Sequence, residues 1–170
     1  MNKLLLVLAL LFPASTIQAQ VEKMSLKLNE GATLTLERIP FKAVGKALKF
    51  YESKVPHTSK FLVSIDGQPV FGTDGDLPRY VLSKAVLSLN GRAYNLQVKN
   101  MYNPWFGSTA SEFVTLTRIG STCKLRAVFS DGAGSYLVEW KVSGNSAVRT
   151  LLTADDEIVT AFFTKSAPRK

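Results

Sequence analysis

Val86-Leu-Ser-Leu-Asn-Gly-Arg-Ala-Tyr-Asn-Leu-Gln-Val98 decides the fold class. Asn90-Gly91 is a pair that tolerates positive φ at both central positions of a two-residue turn, and that geometry matches the right-handed twist of two antiparallel strands. Tyr94, Leu96 and Val98 alternate with polar residues, which is the period of a half-buried strand. The segment therefore reads as a β-hairpin, and the reading extends outward from it.

On its N-terminal side, Phe61-Leu-Val-Ser-Ile-Asp66 is a strand with Phe61, Val63 and Ile65 expected on one face. Asp66-Gly67 turns it into Gln68-Pro-Val-Phe71, where Pro69 cannot donate a ladder bond and so marks an edge or a hairpin rim. The loop Phe71-Gly-Thr-Asp-Gly-Asp-Leu-Pro78 follows. Its Asp74 and Asp76 resemble a fragment of a calcium loop, but calcium takes about six to eight oxygens and no later acid completes the pattern. The loop reads as a turn built on Asx bonds, with both carboxylates as candidate polar contacts for a ligand. On the C-terminal side lies a second turn-rich loop, Asn100-Met-Tyr-Asn-Pro-Trp-Phe-Gly107. Tyr102 and Trp105 beside Asn103 suit a sugar ring or a protein interface, and also suit a plug folded onto the core. Asp74, Asp76, Tyr102, Asn103 and Trp105 are the binding-site candidates.

Further hairpins surround this centre. Lys23–Asn29 and Thr33–Glu37 alternate about a Glu30-Gly31 turn, with Leu26, Leu34 and Leu36 inward. Phe113–Arg118 pairs with Cys123–Phe129, whose Cys123, Leu125, Ala127 and Phe129 share a face. Tyr136–Val142 puts Tyr136, Val138, Trp140 and Val142 on an inner face, and Ser143-Gly-Asn145 leads into Ala147–Leu152. Two stretches are ambiguous. Phe41, Val44, Leu48 and Tyr51 fit helical spacing and predict a short helix across 41–51 despite Gly45. Thr153–Glu157 looks like a helix cap with acids in the first turn, yet Ile158–Thr164 has equally good β composition, so the type of 154–163 stays open. Five hairpin-like pairings at short spacing predict a mainly β domain, an antiparallel β-sandwich or partly closed barrel with one or two short helices.

The N-terminus carries Lys3, an apolar run from Leu4 to Phe12 and Ile17-Gln18-Ala19, the order of a secretory signal peptide over residues 1–19, with cleavage after Ala19. Nine apolar residues fall well short of the roughly 20 a membrane span needs. Residues 20–170 are expected to form a single all-β domain, secreted or periplasmic, with no membrane span. A formal charge of +8 in an exported chain argues against nucleic acid as partner and for an anionic polysaccharide or an envelope or secreted protein. Lys42, Lys46, Lys49, Lys54 and Lys60 form the most basic stretch. Cys123 is the only cysteine, so no internal disulfide forms, and His57 is the only histidine, which removes multi-histidine metal sites. No nucleophile or phosphate-loop order occurs, and the sequence implies no cofactor. The reading is an exported, non-catalytic binding protein, foremost a protein-binding inhibitor or immunity-type protein of the cell envelope, with a carbohydrate-binding module using its aromatic loop as the alternative.

Overall fold

The computed structural model describes residues 20–52, 60–107, 109–130 and 132–166. The expected signal peptide and His57 lie outside the described residues. The described residues are mainly β, in three antiparallel sheets. The first sheet has the order β1 (Glu22–Lys27), β2 (Thr33–Pro40), β6 (Tyr80–Leu89), β7 (Arg92–Asn95). The second is a meander of β8 (Val114–Ile119), β9 (Thr122–Phe129), β10 (Tyr136–Ser143) and β11 (Ser146–Thr153). The third, inserted between β2 and β6, is small: β3 (Leu48–Tyr51), β4 (Phe61–Ile65) and β5 (Gln68–Pro69). None of the sheets closes into a barrel.

The first two sheets pack face to face as a sandwich because their alternating apolar residues form one core. Leu34, Leu36, Leu82 and Leu87 from one sheet meet Leu125, Phe129, Tyr136, Val138 and Trp140 from the other. Burial of each such side chain stabilises by about 1.5–3 kcal/mol. Trp140, at 0% exposure, also donates its indole N–H to the Gln97 carbonyl at 3.0 Å, so its one polar group is satisfied inside the core. Side chains tie both flanks of the sandwich. Tyr94 Oη donates to the Gly144 carbonyl and Arg92 to Asn145 on one flank, and Asn29 Nδ2 donates to the Leu116 carbonyl on the other. The central turn is as expected, with Asn90 at φ 51° and Gly91 at 73°.

The open element near the C-terminus is a helix, α1 (Asp156–Ser166). Asp155 caps it, its Oδ1 accepting from the Glu157 and Ile158 amides at 3.0 and 3.2 Å. Val159 and Phe162 pack on Val128 and Leu137, so α1 covers the outer face of the second sheet and buries residues of β10 that alternation alone assigns to solvent.

Two expectations need correction. Residues 41–51 form no helix: Phe41–Ala47 is a loop turning through Gly45 at φ 79°, and Leu48–Tyr51 is β3. The apolar spacing there serves other contacts, since Phe41 and Leu48 join the core under the third sheet while Val44 is 95% exposed. In β4 the buried residues are Leu62 and Ile65, whereas Phe61 and Val63 are exposed. The cause is a bulge. Lys49 pairs with Ser64 and Phe50 with Leu62, leaving Val63 as the extra residue and breaking the alternation.

Candidate functional site

The two turn-rich loops lie side by side. After β7 the chain leaves the sheet and then rejoins the start of β6, with the Leu82 amide donating to the Met101 carbonyl and the Asn103 amide to the Tyr80 carbonyl, both at 3.0 Å. On the opposite side the Tyr102 amide donates to the Phe71 carbonyl at 3.0 Å. Segment 101–103 is thus wedged between β6 and the first loop.

Asn103 locks this junction. Its backbone sits at φ 42°, which Asn tolerates better than most residues. Its Oδ1 accepts from the Arg79 and Tyr80 amides at 2.9 and 3.0 Å, and its Nδ2 donates to the Gly72 carbonyl at 2.7 Å. The same carbonyl accepts from Ser130 Oγ at 3.3 Å. Gly72 has φ 100°, and a Cβ there would overlap the Tyr102 carbonyl, so only glycine allows the two loops to approach this closely.

Tyr102 is only 8% exposed. Its ring meets Phe41 edge-on at 5.8 Å, and its carbonyl accepts from the buried Tyr136 hydroxyl at 3.0 Å. Burial raises its phenol above the ordinary pKa, with nearby Lys46 opposing. Tyr102 therefore anchors the third sheet to the sandwich instead of standing free for a ligand. Trp105 is half-buried, tilted against Phe113 at 5.8 Å, and its Nε1 is buried without a hydrogen-bond partner. Asp74 and Asp76 are exposed, and no group of His, Cys, Asp and Glu among the described residues converges to hold a metal.

An open cleft of about 490 Å³ lies beside this junction, lined by Arg38, Arg79, Tyr80, Asn103, Trp105 and Ser130, with Pro104 and Phe106. Of the five candidates from the sequence, Asn103 and Trp105 line it, and Asp74, Asp76 and Tyr102 do not. Arg38 forms a fixed wall. Its guanidinium lies 4.0 Å from the Tyr80 ring centre and 4.5 Å from that of Phe106. Its Nε and Nη2 donate to Glu22 at 3.0 and 2.7 Å, and its Nη1 to the Pro104 carbonyl at 3.2 Å. The structure's β1–β2 register sets Glu22 opposite Arg38, one residue beyond each end of the hairpin read from the sequence, so alternation gave no signal for this residue. Arg79 is exposed and pairs with no acid among the described residues.

A second surface lies on the third sheet. Tyr51 and Phe61 are cross-strand neighbours, 59% and 43% exposed, and Val63 and Leu77 are exposed as well. Of the nearby lysines, Lys46 pairs with Asp66 at 2.7 Å and Lys60 with Glu52 at 2.6 Å. Lys42 and Lys49 have no acidic partner among the described residues. Glu139 lies on the outer face of β10, opposite to the face of Tyr136, Val138 and Trp140. It is held by Arg126 at 2.8 Å, Thr150 at 2.9 Å and Lys124 at 3.2 Å.

No family model matches the chain, and no curated protein or solved structure is similar to it. Among the described residues no helix is long and apolar enough to cross a membrane.

Proposed function

We propose that the chain is an exported, non-catalytic binding protein whose partner is an acidic protein of the envelope or the extracellular space, in the manner of an inhibitor or immunity-type protein. The observation that carries the reading is the exposed aromatic pair Tyr51 and Phe61 on the third sheet. Large apolar side chains on a small accessory sheet contribute little to the sandwich core, and aromatic residues are the common anchors of protein interfaces. Lys49, two residues before Tyr51 in β3, has no acidic partner among the described residues, which favours an acidic surface opposite and an association that weakens with salt. The turn-rich loops give this surface its rigidity and do not supply its anchors.

The test is reconstitution with a partner isolated from envelope extract by photo-crosslinking from position 51. Wild type forms a stoichiometric complex that weakens as ionic strength rises. The double variant Tyr51→Ser/Phe61→Ser, at exposed positions, keeps the melting temperature and loses the complex. Retention of the complex by that variant, or a complex indifferent to salt, refutes the reading.

A further inference from the structure

The cleft beside Asn103 has features that a protein-docking surface on the third sheet does not use, and the inference from them stands apart from that reading. Its volume of about 490 Å³ falls within the roughly 300–1,000 Å³ typical of small-ligand sites. Three aromatic side chains, Tyr80, Trp105 and Phe106, line it. It holds two guanidinium groups in different states. Arg38 is neutralised by Glu22 and stacked on Tyr80 and Phe106, so it builds structure. Arg79 carries a charge that no acid among the described residues answers, while its amide is fixed by Asn103 Oδ1 at 2.9 Å and its carbonyl by the Phe41 amide at 2.9 Å. A preset backbone beneath a guanidinium that no described acid pairs is an arrangement suited to receive an anion.

The charge count selects the anion. One cation unanswered among the described residues matches a monoanion better than a dianionic phosphate, and a guanidinium fork fits a carboxylate with two parallel bonds. The aromatic walls suit the apolar face of a ring, and Ser130 Oγ lies on the lining as a hydroxyl partner. We propose that the cleft binds an acidic sugar residue, with Arg79 pairing to its carboxylate and the Tyr80, Trp105 and Phe106 walls flanking the ring. The same chemistry occurs in a free sugar acid and in an acidic polysaccharide.

The experiment is an NMR titration of the full mature chain with D-galacturonate, a galacturonate oligomer and neutral D-galactose. Galacturonate is expected to shift the Arg79 amide and the Trp105 indole signals saturably, with galactose at least about tenfold weaker. Arg79→Gln removes charge-assisted bonds whose loss corresponds to about ten- to a hundredfold in affinity, and Arg79→Lys, which keeps the charge without the fork, falls between. Tighter binding of the oligomer than of the monomer assigns the site to a polysaccharide, and equal binding per sugar assigns it to the free acid. Equal responses to galactose and galacturonate, unchanged affinity in Arg79→Gln, or no saturable response to either acidic probe overturns the proposal. Among the described residues the Arg79 side chain makes no hydrogen bond or ion pair, and Arg79→Gln leaves the backbone bonds of residue 79 in place, so an unchanged melting temperature makes the readout direct.

Discussion

Asn103→Ala is the substitution that most directly tests how the two loops are held. Three hydrogen bonds disappear together: two from the Arg79 and Tyr80 amides to Oδ1, and one from Nδ2 to the Gly72 carbonyl. Leaving a buried polar group unsatisfied costs about 1–3 kcal/mol. The Arg79 amide lies at the exposed end and water can replace its partner, and the Gly72 carbonyl keeps the Ser130 hydroxyl, so the Tyr80 amide dominates, at about 2 kcal/mol. In a domain of this size 1 kcal/mol moves the melting temperature by about 2–4 °C, which puts the expected loss at about 4–8 °C. The backbone supplies an internal control. Alanine at φ 42° carries a steric cost of about 1–2 kcal/mol that glycine does not, so Asn103→Gly should melt above Asn103→Ala although both lack the side-chain bonds. Asn103→Asp keeps the acceptor for both amides but turns an oxygen toward the Gly72 carbonyl, and it should be destabilised as well. The assay is thermal unfolding followed by far-ultraviolet circular dichroism. If Asn103→Ala melts within a degree or so of wild type, the bracing role is wrong and Asn103 is free to serve a ligand, and if the alanine and glycine variants coincide, the strain assigned to φ 42° is wrong.

Three further outcomes follow from the same contacts. Burial alone would raise the Glu139 carboxyl, but hydrogen bonds from Arg126, Thr150 and Lys124 outweigh it and hold it below its usual value of 4.5. A depressed carboxylate stabilises the fold above its unfolded pKa, and that contribution is lost as pH falls below about 4.5 through the lower folded value. Urea unfolding of Glu139→Gln should therefore show a weaker loss of stability between pH 6 and pH 3.5 than wild type, and parallel pH profiles would refute the assignment. Cys123, 3% exposed, should resist a thiol reagent in the native state and react fully in denaturant, whereas rapid native labelling would contradict its burial. Asp155→Ala should cost about 1 kcal/mol and speed hydrogen exchange in the first turns of α1, leaving the β9 and β10 amides unchanged; uniform acceleration would mean that α1 and the sandwich open as one unit.

The sandwich was legible wherever alternation ran unbroken. Tyr136, Val138, Trp140 and Val142 face the core as their period demands, and so do Cys123, Leu125, Ala127 and Phe129. Legibility failed where one extra residue shifts the phase. The bulge at Val63 reverses the exposure of β4, and another between Glu37 and Arg38 leaves Ser83 without a register partner in β2, so alternation breaks within β6 as well. Residues 41–51 misled for a different reason. Helical spacing arose by coincidence from a loop contact, an exposed valine and a strand, and no local term distinguishes that mixture from an amphipathic turn. Among the candidate ligand residues, Tyr102 and Asn103 owe their burial and bonding to partners far away in the chain, such as Arg79, Gly72 and Tyr136, and such partners are invisible to a local pattern. The aromatic pair on the third sheet was hidden in turn by the bulge, since regular alternation would have buried Phe61.

These long-range bonds also determine which substitutions can separate the two proposed surfaces. Arg79 connects them: its amide hangs on Asn103 at the cleft, its carbonyl holds Phe41, and the Phe41 ring packs on Tyr102 beneath the third sheet. A change at Asn103, Gly72 or Tyr102 disturbs this shared frame and would depress sugar binding and protein binding together, whatever either surface does. Loss of function in such a variant therefore carries no information about contact. Side-chain tips that the frame does not use behave differently. Arg79→Gln alters a guanidinium in the cleft and leaves the Arg79 backbone bonds in place, and Tyr51→Ser alters an exposed ring on the third sheet. Because the altered groups share no hydrogen-bond partner, their effects should be separable by site. An effect on one ligand with an unchanged melting temperature then reports that surface, while parallel losses on both ligands report the frame between them.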